Sequence, residues 1–138
     1  MDISIVRAMI VGGASGMARA TAERIAAAGG AVAILDRAGS GGDVVAAAIG
    51  GTFIEADITD FAGVEVAIDA AVEALGGLDV AVNTAGGGIG ARTLNRDGSP
   101  HDLDEFRRVI DLNLVATFNL NRLQAAHMAK NAPNADDE

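Results

Sequence analysis

The 138-residue sequence contains no cysteine, tryptophan or tyrosine, and phenylalanine is its only aromatic residue. Without cysteine the chain forms no disulfide and offers no thiolate ligand, and we predict no metal site. Because aromatic residues are only 3% of the chain, the core must be built from Ala, Val, Ile and Leu, which suits close packing of helices on a sheet. Hydrophobic residues make up 50% of the sequence, enough for one folded domain.

Positive charge is also scarce. Ten Lys and Arg residues stand against 19 Asp and Glu residues, which gives a formal net charge of -9 and a pI of about 4.5. Such a chain repels a phosphate backbone, so we expect no nucleic-acid partner. A bound dinucleotide is a different case, because backbone N–H groups at its site can outweigh a distant negative field.

Long hydrophobic runs are missing as well. The amino-terminal stretch MDISIVRAMIV lacks the basic region and the long apolar run of a secretory signal. No apolar stretch of the sequence is long enough to span a bilayer. We therefore expect a cytoplasmic protein with no membrane partner.

Strand-like and helix-like segments alternate along the chain in the order βαβαβαβα, which predicts a parallel sheet with right-handed crossovers. The strands are continuous apolar runs, as expected when helices cover both faces of the sheet. The last helix begins with Asp102 as its N-cap and Glu105 as capping-box partner, and the polar tail 131–138 is expected to fray. The predicted strands span 5–11, 31–36, 52–57 and 78–83; the predicted helices span 16–28, 43–50, 60–75 and 102–130; a long loop spans 84–100.

A glycine-rich segment, GGASG at 12–16, lies between the first strand and the first helix. Glycines let a phosphate approach the backbone, and the helix N-terminus offers free N–H groups to a pyrophosphate. Asp36 ends the next strand, where a carboxylate can accept hydrogen bonds from both hydroxyls of a ribose. A glycine-rich segment alone is equally explained as a tight turn, but strand, glycines, helix, strand and Asp in this order favour dinucleotide binding.

Asp36 also bears on which dinucleotide binds. Its carboxylate would repel the extra 2′-phosphate of NADP, and Ser15 stands where a basic residue could have attracted that phosphate. Arg37 directly follows Asp36 and acts in the opposite sense. On balance we predict NAD as the cofactor.

Four short motifs, GGASGMA, DITD, NTAG and LNL, lie in the order and spacing of the short-chain dehydrogenase/reductase family, which the chain resembles over essentially its whole length. The region from Asp79 to Leu123 is similar to a branch of that family, the type-2 3-hydroxyacyl-CoA dehydrogenases, which also oxidise hydroxysteroids. The resemblance covers only the N-terminal half of the family's domain. It implies a Rossmann-like, doubly wound α/β fold and hydride transfer between a secondary alcohol and NAD, with an acyl-CoA or a steroid as substrate.

The resemblance also implies roles for individual residues. Asn113 would belong to a catalytic tetrad and help to hold a water near the active-site Lys. The implied cofactor-binding residues are Gly12, Ser15, Gly16 and Met17 at the pyrophosphate and adenine ribose, Asp36 at the ribose hydroxyls, Asp57 and Ile58 beside the adenine, and Asn83, Thr84, Ala85 and Gly86 beneath the cofactor.

Several of these residues have simpler explanations. Asp57 and Asp60 are equally well placed to cap the following helix, and Asn83 is acceptable as a turn residue at a strand end. Asn113 is a poor residue for a helix interior, and on sequence alone a buried Asn bonded to backbone is the favoured explanation. His101 and His127 are predicted to be surface or helix-face residues rather than bases. Two departures from the family pattern are Val11 in place of a Thr and Ala18 in place of the third glycine.

The family's proton transfer uses a Tyr, a Lys four residues later and a Ser, all beyond the helix that carries Asn113. Here there is no Tyr, the only Lys is Lys130, and no Ser follows Asn113. We therefore expect residues 1–138 to be the NAD-binding half of such a domain, truncated before its catalytic half, with strand order 3-2-1-4 and no turnover. Alternatives are a non-catalytic nucleotide-binding module and a self-associating one. An uncovered strand edge and an apolar helix face favour a homo-oligomer; that face comprises Phe106, Val109, Ile110, Leu114 and Phe118.

Overall fold

A computed structural model describes residues 2–132, which form a four-stranded parallel sheet with helices on both faces. A 3-10 turn at Ile3–Ile5 precedes the first strand. The strands are β1 (Arg7–Val11), β2 (Ala31–Asp36), β3 (Thr52–Glu55) and β4 (Val80–Asn83). The helices are α1 (Gly16–Ala27), α2 (Gly42–Ile49), α3 (Phe61–Leu75), α4 (Leu103–Ile110) and α5 (Ala116–Met128), with a π-helical segment at Asp111–Val115 between the last two.

The strand order is β3-β2-β1-β4, as predicted. Alternate residues of the central strands enter two separate cores, because successive side chains of a strand point to opposite faces. Ile10 and Ile34 pack under α1 and α2 on one face, whereas Met9 and Leu35 pack under α3 and α5 on the other. The doubly wound α/β fold is therefore confirmed.

Most predicted elements are present, but three strands are shorter than predicted. The first begins at Arg7 rather than Ile5, because Asp2 accepts a 3.0 Å hydrogen bond from the Ser4 amide and starts a 3-10 turn. The third strand ends at Glu55 because its last partner on β2 is Asp36. The fourth begins only at Val80. Residues 133–138 of the predicted polar tail lie outside the described residues.

The last helix is not the uninterrupted α-helix that the sequence predicts. Asp102 caps it, accepting from the amides of Asp104 at 2.7 Å and Glu105 at 3.0 Å. The Glu105 carboxylate lies toward Arg108, at 3.8 Å, rather than closing a capping box. After two turns the helix passes into the π-helical segment, and α5 then continues to Met128.

One side of this helix is uncovered in the described part of the chain. Leu103, Phe106, Leu114 and Phe118 are each more than half exposed, while Leu120 and Gln124 on the other side are buried. Strand β4 pairs only with β1 among the described strands. Within residues 2–132, no helix is long and apolar enough to cross a membrane.

Candidate functional site

A cavity of about 930 Å³ opens at the carboxyl ends of the strands, where ligands bind in open parallel sheets. The structure brings all of the predicted cofactor-binding residues except Asn83 to its wall. Those residues are Gly12, Ser15, Gly16, Met17, Asp36, Asp57, Ile58, Thr84, Ala85 and Gly86.

The glycine turn forms the floor of this cavity. Gly12 has φ +83°, a conformation that favours glycine, and its amide donates to the Leu35 carbonyl at 2.8 Å. A Cβ atom on Gly12 would lie 2.9 Å from the Ala85 amide nitrogen, so only glycine allows the turn to lie against the end of β4. The first residues of α1, Gly16 and Met17, face the cavity and present the unpaired amides of a helix N-terminus.

The middle residue of the glycine turn, Ala14, is linked directly to the end of β2. Its amide donates to Asp36 Oδ2 at 3.0 Å, and the amide of Arg37 donates to Asp36 Oδ1 at 2.8 Å. Both bonds hold the carboxylate in a fixed orientation at the cavity wall, with further lone pairs available to accept from hydroxyl groups. The carboxylate thus lies where the sequence predicts a ribose-binding group.

The two candidate capping residues after β3 have different positions. Asp60 caps α3, accepting from the Gly63 amide at 3.1 Å. Asp57 lines the cavity and accepts from Thr59, at 2.7 Å from its hydroxyl and 2.9 Å from its amide. Those hydrogen bonds, with a smaller contribution from the charge of Arg37, lower the pKa of Asp57 below its usual range. Ile58 is buried beside it, so a polar and an apolar group adjoin at this end of the cavity.

Asn83 is not at the cavity wall. Its amide nitrogen donates to Gln124 Oε1 at 2.7 Å and to Asn121 Oδ1 at 2.8 Å, and its oxygen accepts from Gln124 Nε2 at 3.0 Å. The side chain is directed to α5 because that helix offers amide partners at the end of β4. The structure therefore places the Asn83 side chain in the contact between β4 and α5, and its place relative to a cofactor stays a prediction.

Asn113 lies at the centre of the π-helical segment and holds the loop after β4. Its Nδ2 donates to the Gly87 carbonyl at 2.6 Å and to the Val109 carbonyl at 2.8 Å, and its Oδ1 accepts from the Gly87 amide at 3.1 Å. A Cβ atom on Gly86 would lie 2.7 Å from that Oδ1, so the close approach depends on glycine. The side chain is bonded to backbone, as the simpler explanation has it, but the residue is exposed rather than buried. Its catalytic role stays a prediction.

Sequence reasoning missed other residues of the wall, among them Thr59, Phe61, Arg108, Asp111 and Leu112. Arg108 and Asp111 share one face of the last helix, three residues apart, but only tertiary packing shows that this face adjoins the glycine turn. His127 is not at the cavity: its Nε2 lies 2.9 Å from Asp69 Oδ1 and links α5 to α3. Among the described residues there is no group of three His, Asp or Glu side chains arranged to hold a metal ion.

A doubly wound parallel sheet, a glycine turn that opens a helix and a carboxylate fixed at the end of β2 define a Rossmann-type α/β domain. The short chain dehydrogenase family matches residues 7–134. The chain belongs to the short-chain dehydrogenase family.

Individual relatives cover the chain almost completely. Human 3-hydroxyacyl-CoA dehydrogenase type-2 is 43% identical over 129 residues, which are 91% of this chain and 49% of that protein. The chain spans about half the length of the curated relatives it matches. The crystal structure of 3-hydroxyacyl-CoA dehydrogenase type-2 from Mycobacterium avium superimposes with a TM-score of 0.88 at 37% identity, covering 98% of this chain and 55% of that one.

Two further solved structures contain a dinucleotide, and each is 32% identical to this chain. A short chain dehydrogenase from Burkholderia cenocepacia in complex with NADP has a TM-score of 0.73 and covers 89% of this chain and 51% of that one. A 3-ketoacyl-(acyl-carrier-protein) reductase from Brucella melitensis complexed with NADH has a TM-score of 0.72 and covers 87% of this chain and 48% of that one.

Proposed function

We propose that residues 1–138 form the NAD-binding half of a short-chain dehydrogenase that transfers hydride between a secondary alcohol and NAD. The observation that carries this proposal is the Asp36 carboxylate, held by the Ala14 and Arg37 amides at the cavity wall beside the glycine turn. Such a carboxylate accepts from ribose hydroxyls and repels a 2′-phosphate, which favours NAD over NADP.

The cavity wall offers partners to each part of the adenine dinucleotide. The amides of Gly16 and Met17 would bind the pyrophosphate, Asp36 the ribose hydroxyls, and the pair Asp57 and Ile58 the adenine. A Cβ atom on Gly16 would meet nothing within 4 Å, so the absence of a side chain there leaves backbone open to a phosphate. NAD, when bound, supplies the atom that accepts or gives up the hydride. Asn113 would act by fixing Gly87 at the edge of the cavity.

The proposed substrate class comes from the relatives. The names of the human and Mycobacterium avium proteins point to 3-hydroxyacyl-CoA thioesters. The resemblance of the region after β4 adds hydroxysteroids, which carry the same secondary alcohol. We propose a 3-hydroxyacyl-CoA as the preferred substrate of the protein to which this half-domain belongs.

A second candidate function is dinucleotide binding without turnover. The observation that favours it is the absence of tyrosine from these 138 residues, since the resemblance assigns proton transfer to a Tyr. For either function we propose a homo-oligomer in which the exposed apolar side of α4 and α5 meets a second copy.

Calorimetric titration of the 138-residue chain with NAD⁺ and NADP⁺ tests the proposal. We expect NAD⁺ to bind more tightly than NADP⁺, and Asp36→Ala to weaken NAD⁺ binding roughly tenfold to hundredfold, because hydrogen bonds to a charged group are worth about 1.5–3 kcal/mol. The same substitution should reduce the preference for NAD⁺ over NADP⁺. Glu73→Ala removes an equal charge from the far end of α3 and should change neither affinity. Absence of heat with both dinucleotides, on protein shown to be folded by circular dichroism, would overturn the proposal.

A further inference from the structure

Two carboxylates end neighbouring strands side by side at the edge of the cavity. The register of β2 and β3 pairs Ile34 with Phe53 and Asp36 with Glu55. Ile34 and Phe53 both enter the core under α1 and α2, and strand alternation places Asp36 and Glu55 on that same face two residues later. Glu55 is therefore the lateral neighbour of the residue that the proposed function assigns to the ribose.

Beyond Asp36 the site continues into a second, smaller cavity of about 390 Å³. Arg37, Ala38, Glu55 and Asp57 line it, and Arg37 and Asp57 line the larger cavity as well. The chain neighbour of Asp36, Arg37, and its strand neighbour, Glu55, both line the smaller cavity, which therefore adjoins Asp36. If Asp36 binds the ribose hydroxyls, a phosphate on the 2′-oxygen would point into this space.

Two arginines, Arg37 and Arg108, line the larger cavity; Arg37 alone also lines the smaller one, which it shares with the carboxylates of Glu55 and Asp57. Asp36 bonds to its amide, Glu55 and Asp57 share the smaller cavity with its side chain, and the Arg37 charge acts on Asp57. One positive charge against three negative charges leaves a local net charge of -2. A guanidinium with carboxylate neighbours is less available to a phosphate that itself carries about -1.5 to -2 charges.

We propose that Glu55 is a cofactor-specificity residue: it keeps Arg37 from binding a 2′-phosphate, and the site therefore prefers NAD to NADP. The inference rests on the proposed function and adds to it. Asp36 binds the ribose hydroxyls of NAD and also repels the 2′-phosphate of NADP, whereas Glu55 acts only on that phosphate. Arg37 alone would favour NADP, and its carboxylate neighbours reverse that effect.

The test compares Glu55→Gln with the unchanged 138-residue chain. Two ligand pairs are titrated, NAD⁺ with NADP⁺ and 5′-AMP with adenosine 2′,5′-bisphosphate, because the second pair isolates the adenosine end. We expect the substitution to strengthen NADP⁺ and bisphosphate binding roughly fivefold, as one unit charge on the freed guanidinium about 4 Å from a phosphate in high dielectric predicts. NAD⁺ and 5′-AMP affinities should stay within about twofold. The gain should shrink as salt is raised.

Two further variants identify the cause. In the Glu55→Gln background, Arg37→Ala should abolish the gain, because the freed guanidinium is what binds the phosphate. Glu73→Gln makes the same charge change about 18 Å along α3 from Phe61 and should leave all four affinities unaltered. This control separates a local effect from a change in net charge.

Each outcome has one meaning. If Glu55→Gln leaves the ratio of NADP⁺ to NAD⁺ affinity unchanged while NAD⁺ still binds, the assignment of Glu55 is wrong and the proposed function stands. Equal strengthening of both ligands of a pair also overturns the assignment. If neither dinucleotide nor either adenosine phosphate binds to folded protein, the proposed function fails, and the role of Glu55 fails with it.

Discussion

At the scale of single residues, Arg7 and Asp79 join the start of β1 to the chain just before β4. They lie at the amino ends of the strands, opposite to the cavity. Asp79 Oδ2 accepts from the Arg7 amide at 3.0 Å and from Arg7 Nε at 2.8 Å, and Asn131 Nδ2 donates to Asp79 Oδ1 at 3.2 Å. Both charged side chains are about one-third exposed or less. This pair connects two strands and the end of the last helix.

Asp79→Asn should therefore destabilise the fold by about 1–3 kcal/mol at pH 7, the range for hydrogen bonds to charged groups. Hydrogen bonds from Arg7 lower the pKa of Asp79, so its stabilising contribution is present above the unfolded-state value near 3.9 and is lost as pH falls through the lower folded-state value. Urea unfolding at pH 7 and at pH 3 should show the difference between the two proteins shrinking with acidification.

Glu23→Gln is the control, because its pair with Arg19 is about half exposed and should contribute less than about 0.5 kcal/mol. A cost of Asp79→Asn that stays constant from pH 7 to pH 3 would contradict the ionic explanation. It would indicate instead that the lost acceptor oxygen, rather than the lost charge, accounts for the cost.

The sequence predicted the positions of residues well where a backbone feature demands one residue type. Gly12 and Asp36 lie where the strand–turn–helix pattern places them, because local chain geometry fixes both. Asp57 and Asp60 could not be separated, since either spacing can start a helix, and only the hydrogen bonds to Thr59 and Gly63 distinguish them. Asn83 could not be placed because its partners on α5 are about forty residues away in sequence.

At the scale of elements, the π-helical segment Asp111–Val115 brings Asn113 against Gly87 in the loop after β4. Short π-helical turns inside α-helices are rare and are often found at functional sites. Hydrophobic periodicity could not reveal this one, because five residues are too few to change the apparent period of a helix of nearly thirty. The ends of α1 and α3 were predicted closely, since Gly29 and Gly76 adopt positive φ and stop each helix.

We expect Asn113→Ala to loosen the loop after β4. It removes both hydrogen bonds to Gly87, so hydrogen exchange at the Gly87 amide should accelerate roughly fivefold to tenfold, as the loss of about 1 kcal/mol predicts. Asn113→Asp retains the acceptor for that amide and should have a smaller effect. Exchange measured by NMR gives the rates residue by residue.

Asn95→Ala serves as the matched control within the same loop. Its side chain bonds to Ser99 and Pro100 and not to Gly87, so it should alter exchange near residue 99 and leave the Gly87 amide unchanged. If Gly87 exchanges equally fast in the unchanged protein and in Asn113→Ala, the side chain does not hold the loop in solution.

At the scale of the whole molecule, the fold class followed from the alternation of apolar strands with helices, which local sequence determines. The sequence predicted the wall of the cavity less completely. Its far wall, with Arg108 and Asp111, depends on how the last helix docks beside the glycine turn, and no short-range pattern encodes that. The exposed apolar side of this helix was predicted from its sequence and is confirmed at Phe106, Leu114 and Phe118, whereas Val109 and Ile110 are half-buried.

That exposed side predicts self-association. Phe118 and Leu114 are 67% and 62% exposed, and reburial of apolar surface is worth roughly 25 cal/mol per Å². The net charge of -9 opposes association, but salt screens repulsion over about 10 Å while the hydrophobic effect persists. Light scattering across a dilution series should therefore show a molecular mass that rises with concentration and with salt.

Phe118→Asp should shift the protein toward monomer. Val66→Asp places the same charge at a residue 69% exposed on α3, outside this surface, and should not. A monomer that persists at high concentration and high salt would show that the exposed side of α4 and α5 is not a contact between copies.

The π-helical segment also has a consequence for how the chain tolerates changes in its length. A turn closed by i→i+5 bonds contains one residue more than an α-helical turn, so it is equivalent to a single insertion. Elsewhere in a helix, loss of one residue rotates everything beyond it by about 100°. Between Asp111 and Val115, loss of one residue would restore a regular α-helix and leave the buried residues Leu120 and Gln124 in phase with α4. The chain therefore carries one residue here that the helix does not need for its packing. That residue is needed for Asn113 to reach Gly87 and bond to it.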